Sequence, residues 1–177
     1  MGLSLLPVIL IRPGAANDRL AAKLKADGIE AWCWPAFTIT LPEDQELVAQ
    51  RLAHLDDVDM VVLPGGIPGT PNLAANKTVT DTCVSFAKSG KKVAAICAAP
   101  SVLASLGLLD GRKATAHAGF QDKLAGAEVL DTEVVVDGNI TTSYGLGGAI
   151  PFALELVRQL AGQAEADRIQ NAIAYRH

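Results

Sequence analysis

Short apolar runs that stop at Gly or Pro alternate with amphipathic segments along nearly the whole chain, and no other feature constrains the fold as much. Pro7–Ile11 is apolar and ends at Pro13-Gly14. Asp18–Ala26 then repeats apolar residues at Leu20, Ala21 and Leu24 with helical spacing, and Gly28 closes it. Residues 29–39, with Trp32, Cys33, Trp34 and Phe37, read as a second strand with an irregular end at Pro35, and 47–55 reads as a helix. Asp59–Leu63 is a strand that stops at Pro64-Gly65-Gly66, and Val79–Ser89 is a helix ended by Gly90. Lys92–Ile96 is a strand, Pro100–Leu106 a helix stopped by Gly107, and Lys113–His117 another strand. Glu133–Val136 and Asn139–Ser143 flank Asp137-Gly138, a dipeptide that tolerates positive φ in a two-residue hairpin turn. Ile150–Leu160 and Glu165–Ala174 read as closing helices. Right-handed crossovers turn such an alternation into an α/β fold, a mostly parallel sheet with helices on both faces.

At 177 residues the chain fills one hydrophobic core, so a single domain is expected. Half its residues are apolar and 19% are charged, which suits strands buried on both sides. The net charge is −4 and no basic cluster occurs, which argues against a nucleic-acid partner. No apolar run reaches the roughly 18 residues of a membrane span. Cys33, Cys83 and Cys97 are odd in number and lack CxxC spacing, so neither a disulfide framework nor a metal site is expected, and a cytoplasmic setting fits. Neither GxGxxG nor GxxxxGK follows the first strand, which argues against a nucleotide or phosphate module and leaves no cofactor implied.

In α/β sheets ligands collect at the carboxyl ends of strands, here Arg12-Pro13-Gly14, Gly65-Gly66 and Cys97. Cys97 stands where a buried strand passes directly into a helix, followed by small residues and by Pro100 in the first turn. A thiol there lies near unpaired N–H groups and the positive end of the helix dipole, which favour the reactive thiolate. The competing reading is one more small buried residue. Gly65 and Gly66 let backbone N–H groups approach a reacting oxygen and, with the Ala98 amide, could form an oxyanion hole; the alternative is an ordinary tight turn. His117 closes the next strand and could serve as acid, base or thiolate partner. His54 reads as a surface residue, His177 has no context, Cys33 and Cys83 read as structural, and Asp56, Asp57 and Asp59 as a solvated turn.

Four ordered segments carry a resemblance: Val61–Thr70 (VVLPGGIPGT), Lys91–Pro100 (KKVAAICAAP), Ala114–Gly119 (ATAHAG) and Val136–Gly145 (VDGNITTSYG). From about Asp59 onward the chain resembles the DJ-one/PfpI superfamily. That resemblance implies a flavodoxin-like three-layer sandwich and an oxidisable, nucleophilic cysteine in a strained elbow. The activities it implies include glyoxalase or deglycase action on reactive dicarbonyls, peptidase or chaperone action, and oxidative stress sensing. Cys97 matches the nucleophile, Gly65 and Gly66 the oxyanion-side glycines, and His117 the nearby histidine. The family's usual GFEEIE stretch, whose last Glu hydrogen-bonds the cysteine, is replaced by Arg12–Leu20. Arg19 stands at the aligned place and Asp18 one residue short of it, so these are the available thiolate partners and weak or absent turnover is expected.

Val8–Ala31 (VILIRPGAANDRLAAKLKADGIEA), followed by Trp34-Pro35-Ala36-Phe37, is instead similar to the opening of uroporphyrinogen-III synthase. Only about the first 55 residues of such a protein could be present, so its cleft and its activity are not expected. The two resemblances together suggest a chimera joined near residues 56–60, able to share one sheet because both parts supply parallel strands of the same handedness. The alternative is a natural, divergent, cysteine-dependent protein of dicarbonyl detoxification or oxidative stress. A small reactive carbonyl is the substrate implied. The first helix, which serves dimerisation in that superfamily, differs here, so a monomer or weak homodimer is expected.

Overall fold

The computed structural model describes residues 8–10, 22, 25–26, 31–33 and 58–176 of a chain that divides into two units, residues 1–53 and 54–177. In the first unit, β1 (Val8–Leu10) pairs in parallel with β2 (Ala31–Cys33), Ile9 opposite Trp32. Ala22, Lys25 and Ala26 between them are helical. A strand-helix-strand unit is what the apolar run, the Leu20/Leu24 spacing and the second apolar run call for. The helix read over 47–55 lies outside the described residues, as do His54, Asp56, Asp57 and His177.

The second unit is built around β4 (Lys92–Ile96), whose Val93, Ala94 and Ala95 are fully buried. It pairs in parallel with β3 (Met60–Leu63) on one side and with β8 (Ile140–Ser143) on the other, and β7 (Val134–Asp137) closes this sheet antiparallel to β8, in the order β3-β4-β8-β7. Side chains alternate across a strand. Val93, Ala95 and Ile140 therefore point to one face, where they share a core with Cys83 and Phe86 of α2 (Lys77–Ser89) and Val102 and Leu103 of α3 (Pro100–Ser105). Thr141 points to the other face, where the Gln159 amide of α4 (Ala149–Ala161) donates to its hydroxyl at 2.9 Å. Helices thus cover both faces, as the sequence predicts. α5 (Gln163–Ala172) packs on α4.

The breakers act as their chemistry requires. Gly90 takes the left-handed conformation (φ 79°) that ends α2, while the Asn76 side chain caps its start by accepting from Val79 N–H. Two expectations need correction. The segment read as a strand over 113–117 is regular only at β5 (Lys113–Ala114), paired with β6 (Glu128–Val129), because Thr115 N–H turns to the Thr142 hydroxyl instead of a neighbouring backbone. The hairpin turn is Gly138-Asn139 rather than Asp137-Gly138: Asp137 still pairs with Ile140, and its carboxylate is held by Lys113 N–H at 2.8 Å. A short helix, α1 (Gly69–Ala75), occupies a segment to which the sequence reading assigns no element; Pro71 fits because the first helical turn needs no N–H donor there. Among the described residues no helix is long and apolar enough to cross a membrane.

Candidate active site

Cys97 immediately follows β4 and adopts φ 66°, a left-handed conformation that costs a non-glycine residue about 1–2 kcal/mol. Two hydrogen bonds hold it there. Its N–H donates to Ser143 O at the end of β8, and its carbonyl accepts from His117 N–H, both at 2.9 Å. Ala98 and Ala99 behind it are buried, and Ala99 N–H returns to Ile96 O at 3.1 Å, so the chain reverses sharply before Pro100 opens α3. The Ala-Ala pair is small because this bend leaves no room for more.

Two glycines make the approach to Cys97 possible. A Cβ on Gly65 would fall 2.6 Å from Cys97 Cβ, 2.8 Å from Ile96 O and 3.2 Å from Ala98 N, so only glycine lets the end of β3 lie against the elbow. Gly145, at φ 145°, ends β8 on the other side; a Cβ there would lie 3.8 Å from Cys97 Sγ and 3.7 Å from His117 Cδ2. Sulfur and imidazole therefore border the same space. Gly119 N–H donates to His117 Nδ1 at 3.1 Å, which fixes that nitrogen as acceptor and places the proton of the neutral ring on Nε2. Phe120 meets the imidazole edge to face at 6.5 Å.

Cys97, His117, Gly65 and Ala98 are thus brought together at one strand edge. Gly66 takes φ 92° and its carbonyl accepts from Thr70 N–H at 2.8 Å, so it shapes the turn into α1; a Cβ on it would touch nothing. Among the described residues no acceptor takes the N–H of Gly66 or Ala98. Asp18 and Arg19 lie outside the described residues, and Cys33 lies in β2. Cys83 is fully buried in the core, and burial pushes its thiol up to about 11. Gly145 is the residue that the sequence reading leaves without a role. The rule that singles out Gly65, a glycine two residues past a strand at the sheet's carboxyl edge, would have found it.

The arrangement coincides with a family. The DJ-1/PfpI family model matches residues 40–159. The chain belongs to the DJ-1/PfpI family. It is 39% identical over 121 residues to protein DJ-1 homolog A of Arabidopsis thaliana (67% of this chain, 31% of that protein). It is 38% identical over 107 residues to deglycase PfpI of Pyrococcus furiosus (59% of this chain, 64% of that protein). The chain therefore spans between about a third and two thirds of these curated relatives. The crystal structure of Drosophila melanogaster DJ-1beta superposes with a TM-score of 0.70 at 30% identity, covering 96% of this chain and 97% of that one. The fold is accordingly α/β and flavodoxin-like, and it is the fold of the DJ-1/PfpI family. The family match opens at residue 40, ahead of the change of resemblance that the sequence suggests near 56–60.

The thiols of Cys83 and Cys97 should separate chemically. Iodoacetamide near neutral pH is expected to modify Cys97, which is half-buried at the sheet edge, and to leave Cys83 untouched. Burial disfavours the charged form of Cys83, so its protection should persist until the pH approaches about 11 or the fold opens. Peptide mass spectrometry against pH checks this, and early labelling of Cys83 in the folded protein would contradict it.

Proposed function

We propose that this DJ-1/PfpI family protein is a cysteine-dependent enzyme acting on small reactive dicarbonyls, in the manner of a glyoxalase or deglycase. The observation that carries the reading is Cys97 at φ 66°, with its sulfur and the His117 ring bordering one pocket of space opened by Gly145. For methylglyoxal, the Cys97 thiolate adds to the aldehyde carbon. The carbonyl π pair moves to oxygen, near the N–H groups of Gly65, Gly66 and Ala98, and takes up a proton to give a hemithioacetal. His117 then carries the proton from C1 to C2 by way of an enediol, leaving a thioester of a 2-hydroxy acid. Water hydrolyses the thioester and releases the thiol. The net change is dicarbonyl plus water to hydroxy acid, with no cofactor required.

Turnover in this reading is weak. The partner that would poise the thiol falls to Asp18, one methylene shorter than Glu and one position out of register, or to Arg19, which acts only through its charge. A misplacement of about 1 Å can cost roughly a hundredfold in rate. Methylglyoxal loss measured during stepwise iodoacetamide treatment tests the nucleophile: activity is expected to fall in proportion to Cys97 modification, and activity that survives full modification would assign the chemistry elsewhere. Arg19→Glu is expected to raise turnover by one to two orders of magnitude on the same scale. No gain would place the deficit in the geometry around the elbow.

The free state of Cys83 and Cys97 fits a reducing, cytoplasmic setting. The chimeric origin is a separate proposal resting on the Val8–Ala31 segment, and one natural reading frame encoding the whole sequence would end it.

A further inference from the structure

A second cavity, of about 430 Å³, lies between α1, α3 and the 3₁₀ segment Ala118–Lys123, and neither Cys97, His117, Gly65 nor Gly145 lines it. Its walls are mostly apolar, from Ile67, Pro71, Ala74, Val102 and Phe120, and its volume falls in the range of small-molecule sites. Three polar side chains face this apolar space, Ser101, Ser105 and Lys123. Behind this wall Thr70, only 4% exposed, keeps a hydroxyl that is out of reach of the open space and has no hydrogen-bond partner among the described residues. Ser101 and Ser105 each spend their proton on a carbonyl one turn back, Ala98 O and Val102 O, both at 2.7 Å, so their oxygens face a ligand as acceptors only. At the rim Lys123 lies over the Phe120 ring at 4.6 Å, and among the described residues no carboxylate pairs with it.

We infer that this cavity binds a small aromatic carboxylate carrying one hydrogen-bond donor. The aromatic body fits against Val102, Ala74 and Phe120, the carboxylate meets the Lys123 ammonium, and the donor reaches the Ser101 and Ser105 oxygens, whose own protons are already spent. An acceptor-rich apolar cleft rejects a purely anionic ligand, and a cation held against an aromatic rim favours an anion over a neutral one. The ligand is a different molecule from the dicarbonyl of the cysteine site, and its binding does not depend on the chemistry proposed there.

Indole-3-propionate supplies the aromatic body, the donor and the carboxylate, and is the probe for the test. It is expected to raise the Tm of the protein and to bind saturably by calorimetry, with the neutral indole-3-propionamide and the Lys123→Ala variant each about tenfold weaker. Ala74→Trp places an indole in the mouth from an exposed helix position, so the fold is retained while the Tm shift disappears. Thr70→Val removes the unpartnered hydroxyl at nearly constant shape. It is expected to raise the Tm of the free protein and to leave the ligand-induced shift in place. Protein alkylated at Cys97 should bind as well as untreated protein. Binding that survives Ala74→Trp, that ignores the charge of the probe, or that vanishes on Cys97 alkylation would overturn the assignment.

Discussion

Gly65→Ala is expected to destabilise the protein by about 1–3 kcal/mol and to slow Cys97 alkylation by an order of magnitude or more, whereas Gly69→Ala, four residues on, changes neither. The added methyl at 65 would sit 2.6 Å from Cys97 Cβ and 2.8 Å from Ile96 O, distances that no rotamer change can relieve because both atoms belong to the backbone or are fixed to it. The elbow cannot yield, since Ser143 O and His117 N–H hold Cys97 from two other segments. The end of β3 must therefore move away from β4, and the N–H groups of the Gly65-Gly66 turn move with it. At Gly69 an added Cβ meets nothing and φ is ordinary. Gly66→Ala separates the two costs: no atom lies within 4 Å of its Cβ, but φ is 92°, so about 1 kcal/mol of strain is expected with little change in thiol reactivity. Thermal denaturation and alkylation rates of the three variants check the order. Equal behaviour of Gly65→Ala and Gly69→Ala would mean that the strand end is not pressed against the elbow.

The same contrast explains what could be read from the sequence. β4 is legible to the residue because Val93–Ala95 are small or β-branched, buried on both faces, and bounded by Gly90 and by the cysteine turn. α2 is legible at its end through Gly90 and less so at its start, where Asn76 caps it three residues before the apolar spacing begins. What escapes is set by contacts distant in sequence. The hairpin shifts by one residue because Lys113 and Arg112, about 25 positions away, hold the Asp137 carboxylate and carbonyl. Strand β6 is two residues long and carries no apolar periodicity, so only its pairing with β5 defines it. At the site, Cys97 and Gly65 are legible because each follows a strand at the same sheet edge, and His117 because it closes the next apolar segment, although that segment is regular only at Lys113–Ala114. Gly145 stands two residues past β8 as Gly65 does past β3, so its position is legible by the same rule, and only its φ of 145° needs the fold to show it.

Cys97→Gly is expected to abolish dicarbonyl consumption to background, a loss of at least about a hundredfold, while leaving the protein as stable as the parent or up to about 1 kcal/mol more so. Cys97→Ala should lose the same activity without the gain. Both variants remove the sulfur; they differ only in how they bear φ 66°. Alanine keeps a Cβ and so keeps the left-handed penalty of about 1–2 kcal/mol, whereas glycine is relieved of it. Glycine also gains freedom in the unfolded chain, which offsets about 0.4–1 kcal/mol of the relief. The expected order of Tm is therefore glycine at or above cysteine, and cysteine close to alanine. Measured stabilities in that order would show that the fold spends free energy to hold the sulfur toward His117 and the Gly145 space, a cost with no structural return. A glycine variant less stable than the alanine variant would mean instead that packing of the Cys97 Cβ against Gly65 outweighs the strain, and the elbow would then be a packing feature that happens to carry a thiol.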